Sequence, residues 1–159
     1  MYRKLKTPHN KNGDKMKEKN ELLIHIYQTS DMGVKSTTKL INLLKNKDNK
    51  IKNILEEELK MYEEYKKESE KILKKEKIQK ETLGIMAEVM STISMDMEVM
   101  KDNSDASIAS MLIQGFTMGT IEMNKKIEAY KDTNKNTINL AKKILKDQEQ
   151  EIEKLKKYL

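Results

Sequence analysis

The chain has no cysteine and no tryptophan, and only one proline, one phenylalanine and five glycines among 159 residues. Without cysteine there can be no disulfide, no thiolate ligand and no thiol nucleophile. So little proline and glycine leaves scant material for tight turns, and few aromatics leave little for strands. The residues that dominate instead, Lys, Glu, Leu, Ile and Met, are those of an all-α protein. Arg3 is the single arginine, so the body of the chain lacks the bidentate phosphate and guanine contacts that guanidinium groups supply. No glycine-rich phosphate loop, HExxH pair or nucleophilic triad occurs. No enzyme activity is expected.

The net charge of +6 is concentrated at the start. Residues 1 to 19 carry seven Lys and Arg against Asp14 and Glu18, which is 7 minus 2, or +5, so the remaining residues carry about +1. A nucleic-acid partner is therefore not expected. Residues 1 to 19, with the only proline at Pro8, read as a flexible basic tail, and weak contact with a membrane surface is the one role it suggests. That stretch has no apolar core of a secretory signal, and the longest run without a charged residue, Ala106 to Ile121, falls short of the roughly 20 residues a spanning helix needs. These features predict a cytoplasmic protein. The excess of Lys over Arg, with abundant Ile and Asn, suggests a bacterial source.

At the centre of the uncharged run lies Gln114-Gly115-Phe116-Thr117-Met118-Gly119. In a helix its two glycines fall one turn apart on one face, which predicts close approach of a neighbouring backbone there. The same cadence occurs 86 positions earlier, in Gln28-Thr29-Ser30-Asp31-Met32-Gly33. The offset holds for Ile41 with Ile127, Ile54 with Leu140 and Leu59 with Leu145, so the chain reads as an internal repeat of two helix pairs. Gln28, Met32, Gly33, Gln114, Gly115, Met118 and Gly119 are its expected helix-packing residues.

Hydrophobic periodicity places helix A at about 20 to 46, capped by Asn20, and helix B at about 49 to 76, capped by Asp48. A methionine-rich helix C follows at about 80 to 101. Helix D, at about 105 to 131, is capped by Ser104 or Asp105, and helix E runs from Thr133 or Asn134 to about Lys157. The stripe on helix B includes one carboxylate, Glu58, beside Tyr62. Helix E carries Ile138, Ala141, Leu145, Ile152 and Leu155 on one face.

With A paired to B, D paired to E, and C as the crossover, the chain resembles the ferritin-like superfamily over about Asn20 to Leu159. Within it, Ile26 to Gly33 and Met111 to Gly119 are similar to a mainly Firmicutes group of helical-bundle proteins of unassigned function. The resemblance implies a four-helix bundle of A, B, D and E with an additional helix C. A di-iron centre in such a bundle needs a carboxylate from each of two helices and a Glu-x-x-His from each of the other two. Here Met61 stands where the first histidine would be, and Thr117, Ile144 and Asp147 stand at the repeated positions. No metal site or cofactor is expected. The candidates that an alternative reading, a metal-binding ferritin-like protein or oxidoreductase with an atypical iron or manganese site, would use are Asp31, Glu58, Tyr62 and Glu122. The expected function is non-catalytic self-association, with a homodimer favoured, because helices C and D offer more apolar surface than a four-helix core needs.

Overall fold

The computed structural model describes residues 11–79 and 101–159, with side chains from residue 20 onward in the first stretch. Helix C, expected at 80–101, therefore lies outside the described residues except for Lys101. Four long helices make up the rest: α1 (Lys11–Leu43), α2 (Lys52–Lys75), α3 (Asp105–Ala129) and α4 (Lys135–Leu155), the last followed by a short 3-10 turn (Lys156–Tyr158). No strand occurs among the described residues, and no helix among them is long and apolar enough to cross a membrane. The all-α expectation holds.

The contacts between helices fix their directions. Asp31 pairs with Lys66 and Gly33 lies against Tyr62, so α1 and α2 form an antiparallel hairpin. Gly119 faces Gln148 in the second hairpin, α3 with α4. Glu57 meets Lys154 at 3.1 Å, Glu64 meets Lys143 at 3.1 Å, and Glu76 accepts from Asn134 at 2.8 Å, so α2 and α4 also run antiparallel. It follows that α2 and α3 run in the same direction. Their N-termini touch directly, and the chain leaves α2 at one end of the bundle to enter α3 at the other.

Those helix starts depart from expectation in an instructive way. Asp48 does not cap α2: the N-cap position is Ile51, which has no side-chain cap. The cap comes from the other hairpin, where the Asp105 carboxylate accepts from the backbone N–H of Lys50 (3.0 Å) and of Ile51 (3.4 Å) and from the Asn49 side chain (2.9 Å). Ser104 caps α3 by accepting from the Ser107 N–H at 3.2 Å, and Asn134 caps α4 by accepting from the Asn136 N–H, both as expected. Asn20 caps nothing. It is a buried residue inside α1, which begins nine residues earlier at Lys11, so Lys11–Lys19 belongs to a helix and not to a flexible tail. Past the end of α2, Lys77 adopts the left-handed conformation (φ 56°) while the Ile78 N–H reaches back to the Leu73 carbonyl.

The core has two apolar clusters. One, at the end where α2 and α3 begin, holds Leu40, Leu44, Ile51, Leu55, Ile108, Phe116 and Leu155. The other, at the opposite end, holds Leu22, Ile26, Tyr65, Met123, Leu140 and Ile144. Buried positions of the first hairpin recur 86 residues later in the second: Leu23 and Ala109, Ser30 and Phe116, Thr37 and Met123, Leu55 and Ala141, Glu58 and Ile144, Ser69 and Leu155.

Candidate functional site

Between the two clusters runs a polar layer. Glu58 comes from α2 and is fully buried. Across from it, α4 contributes Gln148 and Glu151, one turn apart and both buried. Tyr62, a turn beyond Glu58, lies between α1 and α3: its ring covers Gly33, where an added Cβ would overlap it, and stacks on Phe116 with centroids 6.2 Å apart and planes 5° from parallel. Tyr65 meets Tyr62 edge-on and donates its hydroxyl to the Asp147 carboxylate at 2.7 Å.

Among the described residues, both oxygens of Glu58, Oε2 of Glu151 and Oε1 of Gln148 are buried and have no hydrogen-bond partner. The other Glu151 oxygen is held by the Lys154 ammonium at 2.7 Å. Burial, and then the nearby Glu151 carboxylate, push Glu58 from its ordinary 4.5 up to about 8, with Lys154 opposing only in part. At neutral pH Glu58 is thus a neutral acid. Burial, reinforced by Glu58, likewise drives the Tyr62 hydroxyl far above its ordinary range. A fully buried carboxyl offers no face to a dissolved substrate.

Comparison with protein-family models, with curated proteins and with solved structures returns no match. The site must be read from its own chemistry.

Among the described residues, the candidate ligands do not come together as a di-iron centre would need. Of the candidate set, only Glu58 and Tyr62 come together. Asp31 is engaged elsewhere, by Lys66 at 2.8 Å and Lys35 at 2.9 Å; burial raises its pKa, but these two hydrogen-bonding lysines outweigh it and hold the carboxylate lower than usual. Glu122 stands on the exposed surface beside Lys125. A lysine ammonium already neutralises Glu151, and no group of three or more His, Asp or Glu side chains suited to a metal occurs among the described residues. His25 is half-buried, and burial followed by the Lys126 charge lowers its pKa.

The expected close approach at Gly115 and Gly119 is also corrected. Among the described residues, nothing lies within 4 Å of a Cβ built at Gly115, and the nearest atoms at Gly119 belong to the Gln148 side chain, 3.7 Å away. The buried face of α3 is centred on Phe116 and Met123, and the helical turn of about 100° per residue carries Gly115 away from it. Gly33 is the glycine that a close contact requires. Gln28 and Met32 are half-buried, whereas Gln114, Gly115 and Met118 are exposed.

Two further surfaces complete the inventory. A shallow 390 Å³ groove between α2 and α4 is lined by Glu64, Glu68, Lys71 and Lys143 among others, and these charges pair with one another. The outer face of α3 is different. It presents Ala106, Ser110, Gln114, Thr117, Met118 and Ile121, none of them charged, with Met118 69% and Ile121 50% exposed.

Proposed function

We propose that this protein is a non-catalytic, ferritin-like helical bundle that works by associating with a second copy of itself through the outer face of α3. The observation that carries the reading is that face: about four turns of helix, uncharged from Ala106 to Ile121, with two large apolar side chains standing in solvent. A second copy is the natural occupant, since a two-fold contact brings each surface against itself and an uncharged strip sets no like charges opposite one another.

The architecture is supported by direction and register. A parallel α2 and α3 require one long return connection between two antiparallel hairpins, which is the ferritin-like arrangement. The 86-residue offset of the buried positions favours the two hairpins as copies of one duplicated unit. On this reading the Glu58, Gln148 and Glu151 layer occupies the place where related bundles hold metals, as a degenerate site that retains a proton in their stead. Mass from light scattering across a concentration series tests the function: the native chain forms a dimer, and Met118→Glu with Ile121→Glu gives a folded monomer. A native chain that stays monomeric at the highest concentration refutes it.

A further inference from the structure

Of Gly33, Gly115 and Gly119, only Gly115 has no neighbour among the described residues within 4 Å of where its Cβ would stand. A glycine in a helix interior weakens it relative to alanine, so Gly115 carries a cost that no contact among the described residues offsets. Its surroundings on the helix surface are large. Met111 precedes it by about one turn, and Met118 follows it, mostly exposed. Gly115 is therefore a hole beside a knob.

Resting on the self-association reading, we infer that α3 of a second copy crosses antiparallel to this one, with Met118 of each copy seated over Gly115 of the other. The pairing selects the direction. In a parallel pair, related by an axis along the helices, Met118 would meet Met118 and Gly115 would meet Gly115, placing bulk on bulk and hole on hole. In the antiparallel pair each knob finds a hole. The alternating helix directions also bring unlike dipole ends together.

The chain has no native cysteine, so cysteine substitutions in the full-length protein report position without interference. An equimolar mixture of Gly115→Cys and Met118→Cys chains, mildly oxidised, should yield a cross-linked heterodimer at least about tenfold faster than either variant alone, because a disulfide needs Cα atoms roughly 4.4 to 6.8 Å apart. Gly115→Ala provides the second readout. It should raise the melting midpoint of the dilute monomer by about 2 to 4 °C, yet weaken dimerisation. A native dimer that loses mass with Met118→Glu but cross-links fastest through Gly115→Cys alone, or keeps its affinity in Gly115→Ala, overturns this crossing and leaves self-association standing. A native monomer whose Met118→Cys thiol is slow to alkylate overturns both, and points to residues 80–100 of the same chain as the cover.

Discussion

Replacing Glu58 with glutamine should stabilise the protein, by an amount that grows with pH. In the folded chain the carboxyl titrates near 8, against an ordinary value of 4.5. Below pH 4.5 it is protonated in both states and exacts nothing. Between those values the folded state must hold a proton that the unfolded state has released, so stability falls as pH rises, by about 1.4 kcal/mol per pH unit. At pH 7 the accumulated penalty is about 3 kcal/mol, and above pH 8 it levels off near 5 kcal/mol. Glutamine keeps the shape, cannot ionise, and can donate its amide to Oε2 of Glu151 or Oε1 of Gln148. Against a total stability of roughly 5 to 15 kcal/mol, the change is large. Urea unfolding of the native chain and Glu58→Gln, compared between pH 5 and pH 8, measures it. Titrating groups not coupled to Glu58, His25 among them, cancel in the difference. If both proteins show the same pH slope, or if Glu58→Gln is destabilised equally at every pH, Glu58 is not a buried neutral acid.

Gly33→Ala should destabilise by about 1 to 3 kcal/mol, because the new methyl overlaps the Tyr62 ring, which is itself held by Phe116; a lowered urea midpoint in the dimer and the monomer alike checks it. Asp105→Ala should cost about 1 to 2 kcal/mol by removing the cap that α3 supplies to α2, and amide exchange should quicken first at Lys50 and Ile51.

Much of the framework was legible because its signals are local. The Ser104 and Asn134 caps, the boundaries of α3 and α4, and the inward turn of Glu58 and Tyr62 all follow from spacing and residue type. Gln148 and Glu151 were missed because Asp-Gln-Glu-Gln-Glu reads as a solvated stretch, and what buries them is α2 packing across α4. A signal existed nonetheless: 86 positions before them stand Tyr62 and Tyr65, both on the expected stripe of helix B. The Asp105 cap was invisible for a similar reason, since its targets lie about 55 positions away and the fold alone brings them together. Asp31 and Glu122 misled because spacing can put a carboxylate on a helix face, whereas the lysine within reach decides whether it stays there.

The ties on α2 also bear on the order in which the molecule assembles. Its beginning is fastened by Asp105, and its end by the hydrogen bond from Asn134 to Glu76, so each end depends on a residue that opens a helix of the other hairpin. Such distant contacts close only after slow searches, whereas a helix hairpin forms from neighbours along the chain. Each hairpin is thus expected to assemble first, with docking setting the ends of α2 last. If that order holds, opening should begin with separation of the two hairpins, and amide exchange at Lys50 and Ile51 should outpace exchange inside either hairpin.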